Sequence, residues 1–290
     1  KPALMPLLTT EELSQMSPLF RGRGGQWLAG KLMQLVRVDE LNALYDRNAM
    51  HRGADFATAV LDDRQIDYLL GNAELLDKLP QGPFITISNH PCGHIDGIML
   101  IEIFARIRPG FKVMVNKILG RVKAMEDNFI TVIPTGRKRD VPQKESLLGV
   151  KAAISQVRSG EPVGFFPSGA VSDLSLRDRC VRDREWQEAM MKLIRKLHVP
   201  IIPVRFFDGN SRLYYLLGLL FGSGIRLLRL PAEVLDKRDK PLRLGIGPVI
   251  DLEAQDACTD LESYAKMLRD SVYGMPMPET FLSRGELLGR

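Results

Sequence analysis

The chain has 290 residues, 45% of them hydrophobic and 26% charged, with 40 Lys and Arg against 35 Asp and Glu for a formal charge of +5. This is globular composition: it excludes wholesale disorder, collagen and coiled coil, and the length allows one large domain or two small ones with an ample core. Three scattered cysteines (Cys92, Cys180, Cys258) make no disulfide framework and no pair at zinc-site spacing, so the sequence points to a reducing compartment and to no metal.

The first 80 residues read as a helical lead. Thr9-Thr10-Glu11-Glu12 is a capping box with Thr9 as the cap. Residues 1–18 lack the apolar run of a secretory signal. Arg21-Gly22-Arg23-Gly24-Gly25 is a break, after which Trp27, Leu28, Leu32, Leu35 and Val36 recur at helical spacing. Asp39 starts a further helix carrying Leu41, Leu44 and Tyr45.

At Leu79-Pro80-Gln81-Gly82-Pro83 the texture changes to short apolar runs alternating with helical stretches. Strands are expected over 84–88, 111–115, 129–133, 163–166, 201–207 and 242–250, and helices over 95–107, 144–158 and 186–197. Strands without polar alternation, separated by helices, predict an α/β fold: a mostly parallel central sheet flanked by helices, behind the helical N-terminal lead. Residues 213–225 (LYYLLGLLFGSGI) are too few for a bilayer crossing, which needs about 20, and read as a membrane-dipping or buried segment. A short helix over 264–272 precedes Met275-Pro276-Met277-Pro278, which breaks regular structure and leaves a tail. The expected organisation is a helical region over 1–80, a central domain over 81–250, and a C-terminal helix and tail over 251–290.

In such sheets, reactive residues collect where strands end and helices begin. The first expected strand runs into Ser88-Asn89-His90-Pro91-Cys92-Gly93-His94-Ile95-Asp96, which holds two of the four histidines. Residues six apart stand about 240° apart around a helix, so a fold-back at Gly93 must bring Asp96 to His90. A carboxylate on one imidazole nitrogen fixes the tautomer and frees the other nitrogen as a general base. His94 is a weaker candidate. Cys92 offers a rival Cys–His nucleophile pair, and Ser168 lacks the Gly-x-Ser-x-Gly elbow of a hydrolase.

The His90–Asp96 turn resembles the first motif of the glycerolipid (lysophospholipid) acyltransferase superfamily. Five residues separate the pair here rather than four, a spacing similar to a haemolysin-like bacterial branch related to ornithine and glycine lipid acyltransferases. The other motifs follow in order: Ile133-Pro134-Thr135-Gly136-Arg137-Lys138-Arg139, then Phe166-Pro167-Ser168-Gly169-Ala170-Val171-Ser172, then Val199-Pro200-Ile201-Ile202-Pro203-Val204. The likeness covers residues 79–250. Ser168 stands where the family has Glu, and no Arg follows at the usual place. That loss of charge argues against glycerol 3-phosphate and favours an amino-acid-headed lyso-lipid, an amine or another hydroxylated lipid.

The resemblance implies transfer of a fatty acyl chain from acyl-CoA or acyl-ACP (acyl carrier protein) to a lyso-lipid or aminolipid acceptor, with no bound cofactor. His90 is the expected base and Asp96 its orienting partner. Asn89, Arg137, Lys138, Arg139, Pro167, Ser168 and Gly169 are the expected substrate-binding residues, the basic trio for an anionic group. The alternating charges of residues 177–185 read as a salt-laced surface or a membrane-facing collar. The modest basic excess suits an anionic membrane face, so a cytoplasmic protein peripheral to the inner face of the cell membrane is expected, with no nucleic-acid partner. The alternatives are a thioesterase or lipid hydrolase on the same scaffold, and a non-catalytic lipid-binding protein at a membrane surface.

Overall fold

The computed structural model describes residues 21–35, 37–133, 144–221 and 223–289. Three helices lead: α1 (Gly22–Leu35), α2 (Val38–Asn48) and α3 (Gly53–Asp63). The central part runs β1 (Tyr68–Gly71), β2 (Ile85–Ser88), α4 (His94–Ile107), β3 (Lys112–Asn116), β4 (Phe129–Val132), α5 (Lys144–Arg158) and β5 (Val163–Phe165). A hairpin follows, β6 (Asp173–Ser175) and β7 (Cys180–Arg182), then α6 (Glu188–Leu197) and β8 (Ile201–Phe206). Three short helices, α7 (Arg212–Phe221), α8 (Ser223–Leu228) and α9 (Leu230–Leu235), lead to β9 (Leu242–Ile246). The chain ends with α10 (Leu252–Asp256), α11 (Leu261–Tyr273), β10 (Phe281–Ser283) and α12 (Arg284–Leu288).

Eight strands form one sheet in the order β10-β1-β9-β8-β2-β5-β3-β4. The pairs β1–β9, β2–β8, β2–β5, β3–β5 and β3–β4 are parallel, while β1–β10 and β8–β9 are antiparallel. The sheet is therefore mostly parallel, with helices on both faces. Alternate residues along a strand serve opposite layers. On β8, Ile202, Val204 and Phe206 join one buried cluster with α3 and α4, while Ile201 joins the other with α5, α6 and α11. Every residue of β2 is buried for this reason, the polar Thr86 and Ser88 included.

Two segments depart from expectation. Residues 68–71 lie in the part read as helical, yet they form β1 inside the central sheet. The stretch after Pro278, read as a tail, forms β10 against β1 and then α12. One hydrophobic cluster runs from Leu41 through Phe104 to Ile246. The Thr9 capping box lies outside the described residues.

The described residues of the 213–225 segment belong to α7 and the start of α8. On α7, Tyr214 and Tyr215 are buried while Leu213, Leu216, Leu219 and Leu220 are exposed. Among the described residues, no helix is long and apolar enough to cross a membrane.

Candidate active site

β2 ends at Ser88, and the Asn89 amide anchors the start of the turn beyond it. Its Nδ2 donates to the Phe206 carbonyl and its Oδ1 accepts from the Phe206 N–H, both at 2.8 Å. These bonds tie the end of β2 to the end of β8 and spend one donor and one acceptor of the residue expected to meet substrate. The turn then reverses at Gly93, where φ is 72°. A Cβ there would fall in the left-handed region and lie 3.0 Å from Leu230 Cδ2. This reversal starts α4 and sets Asp96 in its first turn, where the helix dipole favours a carboxylate.

Asp96 is fully buried. Its Oδ2 meets His90 Nδ1 at 3.0 Å and accepts the N–H groups of Cys92 at 2.8 Å and Gly93 at 3.0 Å. A carboxylate acceptor places the proton on Nδ1, by the logic of the hydrogen-bond network. Nε2 is then the basic nitrogen of a ring 18% exposed to solvent. Phe166, from the third motif, stacks on the imidazole with ring centroids 4.0 Å apart and planes 27° apart.

The remaining candidates divide. Ser168 is buried, and its hydroxyl donates to the Ala170 carbonyl at 2.7 Å, within its own turn. The Ser168 carbonyl accepts from Arg184 Nε at 2.9 Å and Gln187 Nε2 at 3.1 Å. Gly169 has φ 61°, and a Cβ there would collide with Gln187. The Pro167 carbonyl accepts from the Gln187 N–H. This turn therefore flanks His90 through Phe166 with its serine hydroxyl directed inward. Arg137, Lys138 and Arg139 lie outside the described residues.

Cys92 is buried, burial pushes its thiol pKa up, and its Sγ faces the Asp208 carbonyl at 3.7 Å. A nucleophilic cysteine needs the opposite shift, so the Cys–His pair loses its footing. His94 Nδ1 is enclosed without a hydrogen-bond partner among the described residues. Burial, then the nearby His90, lower the His94 pKa to about 4, so it is neutral near pH 7.

Sequence reasoning assigned no site role to Asp183, in the charged run, or to Ser172, at the end of the third motif. Asp183 belongs to the run taken as a charged surface, yet it is buried and accepts the His90 N–H at 3.2 Å. Nothing distinguishes it locally from Asp178, which is exposed between the two strands of the hairpin. The one hint is Trp186 three residues on, whose Nε1 donates to Asp183 at 3.1 Å.

Residues 72–206 match the family described as Acyltransferase. The chain is 24% identical over 257 residues to a lyso-glycine lipid O-acyltransferase of Bacteroides thetaiotaomicron, covering 86% of this chain and 89% of that protein. It is 27% identical over 260 residues to another lyso-glycine lipid O-acyltransferase, from Phocaeicola vulgatus, covering 86% and 87%. Among solved structures it resembles the 1-acyl-sn-glycerophosphate acyltransferase PlsC of Thermotoga maritima, with a TM-score of 0.46 and 13% identity over 83% of this chain and 90% of that one. On the match over residues 72–206 and the two curated relatives, the chain is an acyltransferase acting on lipids, and it resembles the glycerolipid/lysophospholipid acyltransferase superfamily.

Proposed function

We propose that the protein transfers a fatty acyl group from an acyl thioester, acyl-CoA or acyl-ACP, to the hydroxyl of an amino-acid-headed lyso-lipid such as a lyso-glycine lipid. The observation that carries this reading is the 3.0 Å contact between His90 Nδ1 and the buried Asp96, with the imidazole itself partly open to solvent. The acceptor hydroxyl gives its proton to His90 Nε2 as its oxygen attacks the thioester carbonyl. The C–S bond breaks as the tetrahedral intermediate collapses, and the imidazolium returns the proton to the departing thiolate. Asp96 keeps the ring in the required tautomer and stabilises the imidazolium. The names of the two curated relatives support an amino-acid-headed acceptor, and Ser168 puts an uncharged hydroxyl where the family has Glu.

The acceptor and product are membrane lipids, so the reaction takes place at a membrane surface, with the enzyme peripheral to it. α7, which carries the exposed leucines, packs through Tyr214 and Tyr215 beside the β6–β7 hairpin, whose tip presents Leu176 at 69% exposure, followed by exposed Arg177 and Arg179. Apolar side chains flanked by arginines suit an anionic lipid interface.

Thiol release from a long-chain acyl-CoA is the test, with lyso-glycine lipid, lyso-phospholipid, glycerol 3-phosphate and glycine as acceptors and His90→Ala alongside. The expected result is release that requires the lyso-glycine lipid and falls by about 10²–10⁴-fold in His90→Ala. Release without any acceptor makes the protein a thioesterase. Full activity in His90→Ala ends the general-base reading.

A further inference from the structure

His90 is held at two points, and only one of them belongs to its side chain. The other is a second buried carboxylate, Asp183, 2% exposed and 93 residues further along the chain. Its Oδ1 accepts the His90 N–H at 3.2 Å and the Ser172 hydroxyl at 2.5 Å, and its Oδ2 accepts Trp186 Nε1 at 3.1 Å. Ser172 closes the ring, because its own N–H donates to the His90 carbonyl at 2.8 Å. Both main-chain groups of His90 are thus engaged by a unit built from Asp183 and Ser172.

That unit is anchored in turn. The Asp183 N–H donates to Tyr273 Oη at 2.7 Å and its carbonyl accepts from Arg269 at 3.0 Å. The Arg269 guanidinium lies over the rings of Trp186 and Tyr273. On the other side, Arg226 donates to the Ser172 carbonyl at 3.0 Å and pairs with Asp173. The three donors to the Asp183 carboxylate are all neutral. A carboxylate buried on such terms costs more than an apolar residue of the same volume. Packing therefore gives no reason for it.

We propose that Asp183 is a positioning residue for His90: through Ser172 and the His90 N–H it fixes the main-chain orientation from which the imidazole meets both Asp96 and the acceptor. The inference rests on the reading of His90 as the base. Asp96 then fixes the ring about its own torsions, Phe166 covers one ring face, and Asp183 fixes the backbone from which the ring springs. Misplacement of a reacting group by about 1 Å costs about 10²-fold in rate, so a main-chain clamp is worth a measurable share of kcat.

The test uses Asp183→Asn and Ser172→Ala in the full chain, assayed with long-chain acyl-CoA and lyso-glycine lipid. The amide of Asp183→Asn keeps the shape nearly constant and loses either the Trp186 hydrogen bond, with its NH₂ in place of Oδ2, or those of the His90 N–H and the Ser172 hydroxyl, with its NH₂ in place of Oδ1. The expected result is a kcat lowered about 10- to 100-fold with KM for both substrates nearly unchanged. A second readout needs no substrate: the proton on His90 Nδ1, hydrogen-bonded to Asp96, gives a downfield NMR resonance assigned by its absence in His90→Gln. That resonance broadens into solvent exchange in Asp183→Asn. Arg284→Ala, which loses stability at a remote site, keeps both kcat and the resonance. A wild-type kcat and an intact resonance in both Asp183→Asn and Ser172→Ala overturn the inference. If Asp183→Asn does not fold, the same result in Ser172→Ala overturns it. If His90→Gln retains full activity, the base reading fails while the resonance still decides the role of Asp183.

Discussion

The His94 ring ties stability to pH in a direction that can be worked out. His94 is the first residue of α4, and burial lowers its pKa from 6.5 to about 4, with the neighbouring His90 adding to the effect. The unfolded chain therefore takes up the proton first as pH falls. Stability is fully present above pH 6.5 and drains away as pH falls from there toward 4. Linkage between those two pKa values gives a loss of about 2 kcal/mol from pH 7 to pH 5. At roughly 2–4 °C per kcal/mol for a chain of this size, Tm falls by about 4–8 °C. His94→Phe keeps the ring shape, carries no titrating nitrogen and removes the unpartnered Nδ1, so its stability stays flatter over the same range. Asp183 acts in the opposite sense, since burial raises its carboxyl pKa and the folded state takes that proton first. Comparing the two proteins at each pH cancels that contribution. Thermal and urea unfolding at pH 7, 6 and 5 is the assay, and parallel losses in the two proteins would refute the reasoning.

Two further outcomes rest on buried contacts. Arg284 forms a fork onto fully buried Glu102, at 2.8 and 2.7 Å, and also reaches Asp62 at 2.6 Å. Arg284→Ala strands the Glu102 charge and is expected to cost about 3–5 kcal/mol in urea unfolding, with kcat preserved below the melting range. Gly93→Ala puts a Cβ at φ 72° and 3.0 Å from Leu230 Cδ2. It is expected to lower stability by about 1–3 kcal/mol and to reduce kcat even where the protein stays folded, because the turn that joins His90 to Asp96 must shift; circular dichroism beside the thiol-release assay separates the two effects.

The central strands were legible in the sequence because the sheet is covered on both faces, which makes β2, β3, β5 and β8 short runs dominated by apolar residues, with Thr86, Ser88, Lys112, Asn116 and Arg205 as the polar exceptions. The His90–Asp96 pair was legible because both partners sit in one seven-residue turn, where local geometry and the requirement for Gly93 leave few ways to meet. The features that stayed hidden depend on distant parts of the chain. Tyr68–Gly71 becomes a strand only because Leu242–Ile246 and Phe281–Ser283 pair with it. The Pro-rich stretch near Met275 looked like an ending because nothing local announces that the chain returns to the sheet and seats Arg284 on Glu102. The absence of Glu at Ser168 could be read directly, but the direction of its hydroxyl, toward Ala170, could not. Asp183 shows the difference most plainly. In sequence it is one charge among seven in a surface-like run, and its burial is set by Trp186, Ser172, Tyr273 and the His90 main chain, which only the folded sheet brings together. Composition and periodicity determine which segments must be buried; which buried polar groups face one another is decided by long-range packing, because a hydrogen bond depends on position in space and not on separation along the chain.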